Sequence, residues 1–322
     1  MRVTLLIICP IFLAFALVDC NVFTSISTSF KAVKEFLFNP KKTVGKNDID
    51  FFLYSRKFWR SARSELTLAD MALTRGKIFF IIHGYMSGRN YTWYQKLTES
   101  LLDKYEESLV AQVSWESLAA EFYLTSSRYT EDIGRRIAEM IYTLEVQYKV
   151  SSSRFVLIGH SLGAQICGWA GRTYAQITGK KIERIIALDP AQPFFRKTAE
   201  SKKLNPNDAN VVFVVHTDKF LGYRDACGTI DFFVNGGSSQ KICRNVTKIQ
   251  DKVYCDHTSA HTYLIQAMEH PGLYIGLKCP TVEQCRQGYI VVGGEFVSMG
   301  DLDLKAKGLF YVDTPDNKAQ GK

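Results

Sequence analysis

Gly159-His160-Ser161-Leu162-Gly163 is the stretch of this sequence best suited to chemistry. A serine with glycine two positions away on each side fits a tight turn that lifts its hydroxyl clear of the backbone. Side chains at 159 and 163 would collide with neighbouring backbone in such a turn. A hydroxyl presented at the start of a helix suits attack on an acyl carbon, because the helix terminus favours the oxyanion that forms. The same five letters also arise by chance in loops, so the surrounding elements decide between the two readings.

Serine needs a base, and the base needs an acid to hold its tautomer. Four histidines follow Ser161: His216, His257, His261 and His270. His257 is the candidate base, expected on a loop that opens the last long helix. His261, one helical turn further on, is the competitor. His216 ends an apolar run and reads as a structural hydrogen-bonder. Asp189 is the candidate acid, at the end of another apolar run and before Pro190; its plain structural reading is a turn aspartate. The order Ser, Asp, His is the one used on strand–turn–helix hydrolases. Two backbone N–H groups must receive the oxyanion, and Leu162 and Tyr85 are the candidates by topology.

The elements that must position these groups are legible as apolar runs. Residues 77–83, 109–115, 154–158, 184–188 and 211–215 are short, nearly continuous and rich in β-branched or aromatic residues, the pattern of strands buried on both faces. Helical periodicity is expected over 131–148, 162–175 and 257–268. Alternation of strand and helix predicts an α/β fold with a mainly parallel central sheet flanked by helices, and chemistry at the carboxyl ends of its strands.

The whole sequence has 322 residues, 46% of them hydrophobic and 22% charged, enough for one large domain with a substantial core. No repeat or low-complexity tract appears, which excludes solenoid, collagen-like and disordered readings. Residues 1–20 read as a secretory signal: Arg2, then the apolar stretch Leu5 to Val18, with cleavage after Ala16 or Cys20. The expectation is one domain over 21–322, secreted, without a transmembrane segment. The net charge of +8 is spread without a dense basic run, so nucleic acid is not an expected partner. Beyond the signal, Cys167, Cys227, Cys243, Cys255, Cys279 and Cys285 form an even set, as disulfides in an exported chain require. Asn90 and Asn245 open glycosylation sequons.

Together these residues resemble the pancreatic lipase family. The resemblance is carried by Ile82-His83-Gly84-Tyr85, Gly159 to Ala164, Leu188-Asp189-Pro190-Ala191, His216-Thr217-Asp218, Asp231 to Gly237 and Cys255-Asp256-His257, in the family's order. It implies the α/β-hydrolase fold, a triad of Ser161, Asp189 and His257, and oxyanion donors at Tyr85 and Leu162. It also implies bridges Cys243–Cys255 across the lid and Cys279–Cys285. Parity alone then pairs Cys167 with Cys227, the alternative being a free buried thiol at Cys167. The chain leaves no room for the family's C-terminal β-sandwich, so no colipase-type partner is expected. Glu200, Lys203, Asn205 and Asp208 match a calcium loop found in some members, with Asn205 in place of one carboxylate; the hydrolysis itself needs no cofactor.

Lid residues Arg244 to Tyr254 are few and mostly polar. Their basic members Arg244, Lys248 and Lys252, spaced four apart, would share a face on a helical turn and meet phosphate headgroups. With the neighbouring loop also short, the chain is similar to insect venom phospholipases A1 and related insect lipases. The expected activity is ester hydrolysis at a membrane, micelle or lipoprotein surface, with phospholipid sn-1 cleavage exceeding triglyceride cleavage. A triglyceride lipase and a non-catalytic, yolk-type lipid-binding protein are the alternatives.

Overall fold

The computed structural model describes residues 43–56 and 68–316. Ten strands form one sheet: β1 (Asp50–Ser55), β2 (Ile78–Ile82), β3 (Leu109–Ser114), β4 (Phe155–His160), β5 (Arg184–Leu188), β6 (Val211–His216), β7 (Ile230–Val234), β8 (Ile275–Cys279), β9 (Phe296–Ser298) and β10 (Gly308–Val312). Their order is β1-β3-β2-β4-β5-β6-β7-β10-β8-β9. Strands β2 to β7 and β10 run parallel, while β1, β8 and β9 pair antiparallel at the two edges.

The parallel strands are apolar on both faces because helices cover both. Alternation along β2 shows it: Ile78, Phe80 and Ile82 enter one core, Phe79 and Ile81 the other. The first core lies under α2 (Tyr123–Tyr148) and α3 (Leu162–Thr178), the second under α1 (Thr92–Lys104) and α4 (Ile249–Glu269). Each large apolar side chain so buried contributes about 1.5–3 kcal/mol, against the entropy of ordering it.

The helices are longer than their apolar periodicity predicts. α2 begins at Tyr123 because its first turns bury polar residues that satisfy themselves: Ser126 Oγ donates to Leu118 O at 2.7 Å and Thr130 Oγ1 to Ser127 O at 2.8 Å. α4 begins at Ile249, not at His257. Gln250, Asp251 and Lys252 interrupt the apolar pattern without interrupting the helix, since no Gly or Pro stands between 249 and 269.

The candidate signal at 1–20 lies outside the described residues. Among those described, no helix is long and apolar enough to cross a membrane.

Candidate active site

Ser161 sits between the end of β4 and the start of α3 with φ 58° and ψ −120°, a conformation rare for a residue with a side chain. Two close approaches set it there. A Cβ on Gly159 would stand 2.3 Å from Gly163 O, and one on Gly163 would stand 2.2 Å from Ile82 O. Leu162 is the first residue of α3, where a helix leaves its N–H without an intrahelical acceptor.

Asp189 follows β5 with φ 41°. Its Oδ1 accepts from the N–H groups of Thr217 (2.9 Å) and Asp218 (3.2 Å), and its Oδ2 faces His257 Nδ1 at 2.6 Å. The carboxylate is buried and the imidazole nearly so. Gly222 is pressed against it, since a Cβ there would stand 2.3 Å from either oxygen. His257 lies in the third turn of α4, not on a loop; the helix backbone, tied to the 243–248 segment by the Cys243–Cys255 disulfide, fixes its ring. Ser161 and His257 line one groove of about 1670 Å³.

His261 also lines the groove but is held flat against the Trp93 indole, with ring centroids 4.8 Å apart. Burial, and then the neighbouring His257, lower its pKa to about 3. His160 Nε2 donates to His257 O at 3.1 Å, and burial pulls its pKa well below the usual histidine value. His216, as expected, is a structural pin: its ring nitrogens face Asp231 Oδ1 (2.8 Å) and Tyr223 O (3.0 Å).

The turn after β2 is fixed by a group that the sequence reading missed. Trp115 N–H donates to His83 Nε2 at 3.1 Å, and its indole N–H to His83 O at 2.9 Å. The other ring nitrogen, Nδ1, therefore carries a proton and donates to Gly84 O at 2.9 Å. Desolvation lowers the His83 pKa to about 4, so this neutral form persists. Gly84 and Tyr85 are thereby held beside Ser161.

Two further expectations are corrected. Cys243–Cys255 and Cys279–Cys285 are bridged, but Cys167 and Cys227 are free and buried. Cys167 faces the core from α3, whereas Cys227 stands before β7 with its N–H on Asp231 Oδ1 at 3.0 Å; burial pushes both thiols up. Arg244, Lys248 and Lys252 do not share a helical face. Arg244 precedes α4 and pairs with Asp316 at 2.5 Å, while Lys248 is the residue that caps the helix. The loop of Glu200, Lys203, Asn205 and Asp208, matched above to a calcium loop, has its oxygens facing donors of the protein. Arg172 reaches Lys203 O and both Asp208 oxygens, and Asn205 Nδ2 reaches Glu200 O at 3.1 Å. Asn90 and Asn245 are both exposed, as carriers of a glycan must be.

An open, mainly parallel sheet with a strained serine at the end of a central strand and an Asp–His pair beside it defines an α/β-hydrolase of the serine ester-hydrolase class. The family model "Lipase" matches residues 25–298. The chain belongs to the lipase family. It is 35% identical over 209 residues to the probable phospholipase A1 magnifin of Vespa magnifica, covering 62% of this chain and 61% of that protein. It is 33% identical to a phospholipase A1 of Vespula vulgaris, over 73% of this chain and 71% of the relative. Pancreatic lipase-related protein 2 of Bos taurus is 31% identical over 75% of this chain and 56% of its own. Among solved structures, esterase PE8 aligns with 45% of this chain and 70% of its own at 17% identity and a TM-score of 0.33.

Proposed function

We propose that this chain is a secreted phospholipase of the A1 type, cleaving the sn-1 acyl ester of phospholipids. The observation that carries the chemistry is the 2.6 Å contact between His257 Nδ1 and the buried Asp189 carboxylate, in a groove that also holds Ser161. His257 takes the Ser161 proton as the hydroxyl attacks the acyl carbonyl. The N–H groups of Tyr85 and Leu162 receive the oxyanion. His257 then returns the proton to the departing glycerol oxygen, and a water activated by the same ring releases the fatty acid. Asp189 keeps His257 oriented and stabilises its protonated state.

Two features support a phospholipid at an interface. Met86, Tyr91, Phe194 and Tyr254 line the groove and are each 40–56% exposed, an apolar rim suited to lipid. The acidic side chains of the lining, Glu99, Asp103 and Glu269, all belong to α1 and α4, where Lys96 and Lys104 also line the groove, whereas the 192–197 segment contributes the exposed Arg196 and Lys197 and no acid. That basic segment suits a phosphate. The wasp relatives named phospholipase A1 point the same way, while the bovine relative, named a pancreatic lipase-related protein, keeps a triglyceride lipase as the second reading.

A phosphatidylcholine with different acyl chains at sn-1 and sn-2, presented beside triolein to the purified protein, decides between them. Release of the sn-1 acid ahead of triolein hydrolysis is expected. Faster turnover of triolein, or release of the sn-2 acid alone, would establish the other reading.

A further inference from the structure

The 200–208 loop lies across α3 two to three turns beyond Ser161, and the contact is close. A Cβ on Gly171 would stand 2.1 Å from Asp208 O, and one on Gly168 would stand 2.9 Å from Asp208 Oδ2. Arg172, next to Gly171 on α3, reaches the same loop. Its Nε donates to Asp208 Oδ1 at 3.1 Å and its Nη2 to Asp208 Oδ2 at 2.9 Å and Lys203 O at 2.7 Å, while Nη1 donates to Ser201 O. The two side chains are 14% and 2% exposed, so this is a planar fork gripping a carboxylate and two carbonyls largely out of water. Asn205 fills the gaps: its Nδ2 faces Glu200 O, Lys203 O and Asp208 Oδ1 at 3.1–3.3 Å, and its Oδ1 accepts from Asn207 N–H.

A divalent cation would gather this kind of oxygen set. We propose that Arg172 is the resident cation of this loop and a positioning residue for the reaction. The link to the reaction runs through Gln165. Leu204 N–H donates to Gln165 Oε1 at 2.9 Å, and Gln165 Nε2 donates to Ala191 O at 2.8 Å. Ala191 N–H in turn donates to Ser161 O at 3.1 Å. The loop therefore braces the turn that joins Asp189 to the backbone of Ser161. Asn205 belongs to the same solution, since a neutral amide donates to the carbonyls where a second carboxylate would only accept.

The kinetic part of this inference rests on the hydrolase reading above; the thermal part does not. Purified wild-type protein is unfolded thermally with EDTA and with added calcium chloride, and its kcat is measured in both. Neither addition is expected to shift Tm or kcat. Arg172→Ala is expected to lower Tm and to cut kcat by about 10- to 100-fold with KM nearly unchanged, the mark of misplaced reacting groups. If that variant does not fold, Arg172→Lys, which keeps the charge and loses the fork, is read instead and should show a smaller kcat loss. A Tm that falls in EDTA or rises with calcium in the wild type would overturn the proposal. So would wild-type kcat in a folded Arg172→Ala or Arg172→Lys protein. The double variant Arg172→Ala/Asn205→Asp restores an acidic oxygen set, and calcium should raise its Tm; no response would also count against the assignment. Should Ser161→Ala retain full activity, the hydrolase reading fails while the thermal results still judge Arg172.

Discussion

Gly84 and Ser161 are so close that a Cβ on Gly84 would stand 2.7 Å from the Ser161 Cβ and 2.9 Å from His160 O. One of the two must move if Gly84 acquires a side chain. Gly84→Ala is therefore expected to displace the Ser161 hydroxyl or the Tyr85 N–H and to cut kcat by about 100-fold or more. The fold should survive, because the change sits at the end of the sheet and empties no core position. Steady-state kinetics with circular dichroism checks it; near-normal kcat would mean that the turn after β2 does not position the reaction.

The neighbouring histidines separate by substitution. Ser161→Ala and His257→Ala should each cost roughly 10⁴- to 10⁶-fold in kcat. His261→Ala should be far milder, since that ring is stacked on Trp93 and makes no contact with Asp189. Rate constants for the three variants on one phospholipid give the ranking, and a reversal of the two histidines would assign the base to His261.

Cys167 and Cys227 should resist alkylation in the native protein and react once it is unfolded without reductant. Both are buried with thiol pKa values raised by burial. Peptide mapping that recovered a Cys167–Cys227 bridge would contradict this arrangement.

Strands β2 to β6 were legible because burial on both faces writes an apolar run, as in Ile78 to Ile82 and Arg184 to Leu188. The parallel β7, with Asp231 inside it, and β10, opening at Gly308, do not stand out as such runs. The serine turn was legible because steric exclusion at 159 and 163 leaves only glycine. The antiparallel edges were harder: β9 is three residues long, and Phe296 within it is exposed, so no buried run marks it. α1 was missed because Thr98 and Ser100 are buried on its inner face, their hydroxyls spent on backbone carbonyls one turn back. Trp115, Gln165 and Arg172 act through partners 32, 26 and 36 residues away in the chain, and spacing carries no trace of such contacts. Arg172 had one signal, the pair Gly168 and Gly171 just before it on α3, which marks close approach of another backbone.

Stability should fall on acidification from pH 7 to pH 5, and His261 should carry part of the fall. Its folded pKa of about 3 lies below the unfolded value, so the folded state binds fewer protons across this range. Stability from this group is therefore present above about pH 6.5 and lost as pH drops toward the folded value. Asp256, raised to about 6 chiefly by burial, works in the opposite sense, which makes a difference between proteins the cleaner measurement. Unfolding in urea at pH 7 and pH 5 should show the wild type losing about 1–2 kcal/mol more than His261→Gln. Equal losses would mean that the His261 ring is not held neutral by the fold.

Arg196 and Lys197 should set headgroup preference. They follow Gln192-Pro193-Phe194, the segment that leaves the Asp189 turn, and the segment's backbone is pinned: Gln192 N–H donates to Leu221 O at 2.7 Å, and Gln192 O accepts from Phe195 and Arg196 N–H. Both basic side chains are exposed on a segment of the groove's lining that carries no acid, whereas Glu99, Asp103 and Glu269 lie on α1 and α4 together with Lys96 and Lys104. Gln192 lies deeper on the same segment, 7% exposed, with no hydrogen-bond partner for Oε1 among the described residues. That amide can meet a glycerol oxygen, with the phosphate further out beside the two cations. Reversing both charges removes charge-assisted hydrogen bonds worth about 1.5–3 kcal/mol each and adds repulsion. Arg196→Glu/Lys197→Glu should therefore lower kcat/KM on phosphatidylcholine and phosphatidylserine by about tenfold or more, with the larger loss on the anionic lipid. Hydrolysis of tributyrin, which has no phosphate, should change little, since neither residue touches Ser161, Asp189 or His257. Equal losses on all three substrates would make the loop merely structural, and no loss on any would place the phosphate elsewhere in the groove.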